Sequence, residues 1–194
     1  RGLGYPLFVK PRHGFGSQGI TGESRAESAK SCRRAVERVI AETGADALVE
    51  EYIEGRELTV GMLGCGRKLL ALPPLEVRFG KAYLEQPQVR MRATKTDPSS
   101  PLYWGFQIDC PAALTFTERR LVEDVALRAY RAIEADGFGR VDIRLGRDGV
   151  PYVLEVNANC SLEYGENEHD AALFPLAARA LGWKVHHFTD AGTL

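Results

Sequence analysis

The stretch Gly139–Asn159, GRVDIRLGRDGVPYVLEVNAN, constrains this chain more than any other. Two runs, Val141–Leu145 and Tyr152–Asn157, alternate apolar with polar or charged residues and flank Gly146-Arg147-Asp148-Gly149, a turn signal with an Asp-Gly pair. That pattern predicts a β-hairpin. Side chains two apart in a strand share a face, so Glu155 and Asn157 point the same way, and a turn centred on residues 147–149 brings Asp142 opposite them. Two carboxylates and an amide oxygen then converge. Such hard oxygen donors suit Mg²⁺, which takes one or two carboxylates and fills its remaining positions with phosphate oxygens or water. The same residues read equally as the exposed polar face of an ordinary hairpin.

Composition decides what else such a site can serve. At 194 residues the chain fits one medium domain or two small subdomains, with 44% hydrophobic and 26% charged residues, as in soluble globular proteins. Its net charge of −1 gives no global field for nucleic acid or an anionic membrane, so any anion binding must be local. Cys32, Cys65, Cys110 and Cys160 lie far apart with no C-x-x-C pair, which predicts free thiols in a reducing cytoplasm and no zinc site. No apolar run reaches the ~18 residues of a membrane span. The chain opens on Arg1-Gly2-Leu3-Gly4-Tyr5-Pro6 and enters a strand without a start methionine, which reads as a segment of a longer protein.

Upstream of the hairpin the signals come in a definite order. Leu7-Phe8-Val9-Lys10 is a short strand, followed by a loop, Pro11 to Ile20, whose Gly14, Gly16, Ser17 and Gly19 permit backbone N–H groups to face an anion. It is neither a Walker A loop nor a dinucleotide fingerprint. Apolar positions from Ala26 to Ile40 recur at three- and four-residue steps, predicting a helix from Glu23 to about Thr43 stopped by Gly44. Ala47–Ile53 is a strand running into Glu50-Glu51, and Glu54-Gly55-Arg56 turns into the strand Glu57–Gly64. Strand continues from Arg67 to Val77 with a Pro73-Pro74 kink, and residues 78–113 read as a long surface excursion. Thr115 with Glu118 forms a capping-box signature for a helix through about Ala135, with Leu121, Val125, Leu127, Ala129 and Ile133 as its apolar positions. A last helix is expected from His169 to Leu181, ended by Gly182.

Taken together, FVKPRHGFGSQGI (8–20), LVEEYIEGRELTVGMLG (48–64), LPPLEV (72–77), CPAAL (110–114) and the hairpin resemble the ATP-grasp superfamily, most closely its D-alanine-D-alanine ligase branch. The resemblance implies an α+β fold of two α+β subdomains clasping a nucleotide. Residues 1–64 would form the small lid subdomain and 65–194 the large subdomain with the metal site, the family's amino-terminal domain lying outside this segment. It further implies that Lys10 contacts α- and β-phosphate oxygens and that Gly16, Ser17 and Gly19 form the phosphate-covering lid. Glu50 would accept from the adenine amino group, the backbone of Glu51 and Ile53 would read the ring edge, and Glu57 would hold the ribose hydroxyls. Asp142, Glu155 and Asn157 would ligate two Mg²⁺ ions, with Mn²⁺ able to substitute. Arg140, on the Asp142 face, would stabilise the transferring phosphate, and Lys95 takes the second phosphate-lysine position with Lys81 as competitor.

The implied activity is an ADP-forming carboxylate-amine ligase that phosphorylates a carboxylate to an acylphosphate, which an amine then attacks. Its partners would be small carboxylates and amines, amino acids or peptides, in the cytoplasm; a homodimer is compatible with it, and neither nucleic acid nor membrane is expected. One segment departs from the pattern. The family continues from its asparagine into Thr, Pro and Gly, whereas Asn157 here leads into Ala158-Asn159-Cys160-Ser161-Leu162-Glu163. The acidic Glu163, Glu166 and Glu168 that follow suit an amine acceptor better than an anionic one. The same change keeps open a non-catalytic ATP-binding sensor or scaffold of this fold.

Overall fold

The structure, a computed structural model, describes residues 2–91, 93–163 and 172–183. In chain order the elements are β1 (Leu7–Pro11), β2 (Arg25–Ala26), α1 (Ala29–Thr43), β3 (Ala47–Glu51), β4 (Gly55–Leu63), β5 (Leu70–Ala71) and β6 (Leu75–Phe79). They continue with α2 (Ala93–Thr96), β7 (Phe106–Asp109), α3 (Phe116–Ala132), β8 (Phe138–Gly146), β9 (Pro151–Asn157) and α4 (Leu173–Arg179). Two compact units result. One holds the described residues up to Ile53 together with Phe79–Phe106; the other holds Glu54–Arg78 and the described residues from Gln107 onward.

This division replaces the expected boundary after Gly64. Strand β4 pairs antiparallel with β8 along its whole length, from Gly55 opposite Gly146 to Leu63 opposite Phe138, so it cannot belong with the segment that precedes it. Residues 79–106 return to the first unit. They are less of a surface excursion than their polarity suggests, because Tyr83, Met91, Thr94 and Phe106 are buried.

In the first unit an antiparallel sheet of order β2-β1-β3 lies against α1. Alternation along β1 sends Val9 toward α1, where it packs with Ala35 and Val39 and, partly buried, Val36, Ala47 and Val49. Each fully buried aliphatic side chain contributes about 1.5–3 kcal/mol. The helix starts later than its apolar spacing implied. Thr21 caps a single 3-10 turn at Gly22–Ser24, Arg25–Ala26 pairs with β1, and only then does Ser28 open α1 with a capping box to Ser31. Gly44 ends it as expected, in the left-handed conformation at φ 66°.

The second unit is built on a sheet of order β7-β6-β4-β8-β9, with β5 also pairing β4. Leu58, Val60 and Met62 of β4 and Val141, Ile143 and Leu145 of β8 turn one face toward α3. Helix α3 begins at the predicted cap, where the Thr115 hydroxyl accepts from the Glu118 N–H and the Glu118 carboxylate accepts from the Thr115 N–H. Its fully buried stripe is Val122, Ala126 and Tyr130; of the expected positions Val125, Leu127 and Ala129 pack partly buried against the same core, while Leu121 and Ile133 are exposed. The apolar residues of this helix span more than one face, and the sheet selects the i, i+4 row that meets it. Of the last predicted helix, Leu173–Arg179 is observed, and residues 169–171 lie outside the described residues.

Candidate active site

The opposite face of the larger sheet carries the charged residues of β4, β8 and β9, beside the buried Leu75 and Val77 of β6. Hairpin β8–β9 forms with the predicted turn, Gly149 taking φ 77° and its N–H donating to the Gly146 carbonyl at 2.9 Å. The register sets Asp142 opposite Glu155 and Arg140 opposite Asn157. One detail was not readable from alternation. Asp142 pairs with Glu155 but Ile143 pairs with Val153, so Leu154 is the extra residue of a β-bulge. The bulge puts Glu155 on the charged face while moving Val153 opposite Ile143 on the apolar one.

The expected residues meet here. Asn157 Nδ2 donates to Asp142 Oδ2 at 3.1 Å and to Glu155 Oε1 at 3.0 Å. Arg140 Nε donates to Asp142 at 3.2 Å, and its NH2 lies 4.0 Å from Glu155 Oε1. Burial pushes the Asp142 carboxyl up from its ordinary range, and the neighbouring Glu155 adds to this; Arg140 and the Thr59 hydroxyl pull the other way. Burial works against the Arg140 charge, yet Asp142 and Glu155 hold its guanidinium above the usual value. A desolvated Asp142 with the exposed Glu155 carboxylate beside it forms a site that a divalent cation would favour ionising. Among the described residues no group of three His, Cys, Asp or Glu could hold a metal, so the donor set rests on two carboxylates and the Asn157 amide.

Two residues of this face escaped the sequence reading. Thr59, opposite Asp142 on β4, donates its hydroxyl to Asp142 Oδ1 at 2.8 Å. Arg144, opposite Glu57, donates to Glu57 Oε2 at 3.1 Å and to the Gly55 carbonyl at 3.3 Å. The signal was the period-two polarity of β4, Glu57 and Thr59 between Leu58 and Val60, matched by Arg140, Asp142 and Arg144 on β8. Cys160 is buried, and burial raises its thiol above the ordinary value, which disfavours the nucleophilic thiolate.

The remaining candidates lie in the first unit, except Glu57. On the β1–β3 face away from α1, Lys10 Nζ pairs with Glu50 Oε1 at 2.7 Å. The resemblance gave these two residues different ends of a nucleotide; here they hold each other. Glu51 Oε1 accepts from the Gly4 N–H at 3.4 Å, and Ile53 is half-buried just past the strand. In the glycine loop Gly16, Ser17 and Gly19 all take left-handed φ values of 61–68°. A side chain at Gly19 would meet Pro11 Cγ at 2.7 Å, and Arg38 anchors the Gly19 carbonyl at 3.1 Å, whereas Gly16 faces open space. Lys95 is half-buried on α2 and Lys81 is exposed on a short turn.

A family model described as "D-ala D-ala ligase C-terminus" matches residues 1–190. The chain belongs to this family. Within it, D-alanine--D-alanine ligase of Bordetella pertussis is 36% identical over 181 residues, covering 93% of this chain and 50% of that protein. The fold agrees with solved members. A D-Ala:D-Ser ligase, VanG, from Enterococcus faecalis superposes with a TM-score of 0.70 at 24% identity, over 94% of this chain and 47% of that one. D-alanine--D-alanine ligase from Bacillus anthracis, solved with ATP, gives 0.69 at 23% identity, over 97% and 51%. The α+β ATP-grasp class expected from the sequence is therefore the fold of this family member. The chain spans about half the length of the curated relatives it matches. No helix among the described residues is long and apolar enough to cross a membrane.

Proposed function

We propose that this chain is the ATP-binding and catalytic portion of an ADP-forming ligase that joins a small carboxylate to an amine through an acylphosphate, in the manner of D-alanine-D-alanine ligase. The observation that carries this reading is the meeting of Asp142, Glu155, Asn157 and Arg140 on one sheet face of a family member.

The donor set fits Mg²⁺, and two ions, or Mn²⁺ in their place, would be held by Asp142, Glu155 and Asn157. When bound, they would neutralise phosphate oxygens and polarise the group being transferred. Asn157, whose amide nitrogen now bridges the carboxylates, would turn its oxygen inward. Thr59 keeps Asp142 oriented by its hydrogen bond, as outer partners of metal ligands do. Arg140, beside both carboxylates, would supply fixed positive charge as negative charge gathers on the transferring phosphoryl group. Lys10 would exchange Glu50 for phosphate oxygens, freeing Glu50 to accept from the adenine amino group. Glu51 and Ile53 would read the ring edge through their backbone, Glu57 would take the ribose hydroxyls, and Lys95 or Lys81 would meet phosphate. Amides of the Gly16–Gly19 loop would cover the phosphates and exclude the water that hydrolyses an acylphosphate.

The substrates would be amino acids or peptides, and the compartment the cytoplasm. The test is phosphate release from ATP and Mg²⁺ by the full-length protein against a panel of D- and L-amino acids and dipeptides. Stimulation by one donor–acceptor pair is expected. Measurable nucleotide affinity with stimulation by no candidate would overturn the ligase reading in favour of a sensor or scaffold.

A further inference from the structure

Arg144 is 3% exposed, the most deeply buried charged residue among those described, and none of the roles above uses it. Its guanidinium reaches across the β4–β8 pair to the Glu57 carboxylate at 3.1 Å and the Gly55 carbonyl at 3.3 Å. Just before them Glu54 is tied to the same strand end: its carbonyl accepts from the Arg147 N–H at 3.1 Å, and its carboxylate pairs with Arg147 NH1 at 2.9 Å. The segment Glu54–Glu57 is thus fixed by the end of β8 through both backbone and side chains.

Stability alone does not account for a guanidinium there. The nine residues of β4 are already registered on β8, and Gly55 lies so close to the Leu145 carbonyl that no side chain would fit. A buried ion pair is often replaced by apolar residues at no cost in stability, whereas it fixes geometry well. A planar fork with one arm on a carboxylate and another on a carbonyl two residues away allows that carboxylate few orientations.

We propose that Arg144 is a positioning residue for nucleotide recognition: it holds the Glu57 carboxylate in the orientation that accepts the vicinal hydroxyls of a ribose. This rests on the reading of Glu57 as the ribose-binding carboxylate. The ligand class is a nucleotide that carries the ribose diol, and the contribution of Arg144 is selectivity for that diol.

The test compares Kd for ADP and for 2′,3′-dideoxy-ADP by calorimetry in the full-length protein, for the parent, Glu57→Gln, Arg144→Lys and the double variant. The parent is expected to prefer ADP by about 10-fold or more, the worth of a charge-assisted hydrogen bond. Arg144→Lys keeps the charge but not the two-armed reach, and should bring the two Kd values within about twofold by weakening ADP only. Glu57→Gln should do the same, and the double variant should add nothing further. If Arg144→Lys keeps the full preference while Glu57→Gln loses it, the positioning role is overturned and the Glu57 reading stands. If Glu57→Gln keeps the preference, the Glu57 reading itself falls and the proposal with it. Equal weakening of both nucleotides by Arg144→Lys would mark a merely structural side chain and also overturn it.

Discussion

In the three-stranded sheet of the first unit, the face away from α1 carries the ion pair Lys10–Glu50, with 21% and 36% of the two side chains exposed, and Arg25, which pairs with Glu27 at 3.0 Å. In the sheet of the second unit, the charged face carries a connected set, Thr59, Arg140, Asp142, Glu155 and Asn157, beside the buried Arg144–Glu57 pair. Both sheets bury one face under a helix and gather charge on the other, where at Gly61 the larger sheet also meets Phe174 of α4. They differ chiefly in how many partners each charge has, since Arg140 and Lys10 are exposed to the same degree, 20% and 21%, and Glu155 is 59% exposed. Charges cross-linked to several partners hold fixed positions, which suits stabilising a reacting group. A partly exposed pair with a single ion contact trades partners more readily, which suits gripping and releasing a ligand. The glycine loop belongs with the second kind, with left-handed backbone at Gly16, Ser17 and Gly19 and Phe15 at 88% exposure.

Three substitutions test this contrast. The largest effect is expected from Glu155→Ala in the second unit. Its side chain is 59% exposed, so thermal unfolding should stay where it is, while Mg²⁺-dependent ATP turnover in the full-length protein falls by about 10³-fold or more. Undiminished turnover would remove Glu155 from the proposed metal ligands. Next comes Arg56→Ala, which probes whether the rigidity of this sheet reaches its helix-facing side. Arg56 makes a two-armed pair with buried Glu76, 2.8 and 2.6 Å, and donates to the Ala113 carbonyl at 2.8 Å; the Glu76 hydrogen bond raises its pKa. Leaving Glu76 buried without this partner should cost about 3 kcal/mol in denaturant titrations. A loss under about 1 kcal/mol would show that the pair is as screened as a surface one. The smallest change in stability is expected in the first unit, for Lys10→Met. Its partly exposed pair should contribute less than about 1 kcal/mol, while ATP affinity drops about 10-fold if Lys10 is the proposed phosphate cation. If stability falls more than affinity, Lys10 is structural and the two sheets are more alike than described.

How much of this was legible beforehand follows from the range of the interactions involved. The hairpin, its turn and the convergence of Asp142, Glu155 and Asn157 could be read because alternation and a tight turn set a register within about twenty residues. The Thr115 cap and the Gly44 stop were equally local. Alternation could not foresee the bulge at Leu154, because an extra residue changes which face a strand presents without changing its composition. Nor could it place β4 in the second unit, since the partner that claims it, β8, lies some eighty residues on. The α3 stripe was legible only in part, at Val125, Leu127 and Ala129, for the same reason. Its apolar residues cover more than one face, and the sheet it meets, rather than its own pattern, chose Val122, Ala126 and Tyr130.

The family, the local elements and the meeting of Asp142, Glu155 and Asn157 were written in the chain, because these depend on residues close together or on motifs whose order survives divergence. Which charges hold which was settled by the folded sheets alone. They paired Lys10 with Glu50, set Thr59 on Asp142 and drove Arg144 into contact with Glu57, since a buried charge must find its partner among whatever strands lie beside it. Strand neighbours are a property of the folded sheet, and no spacing in the chain states them.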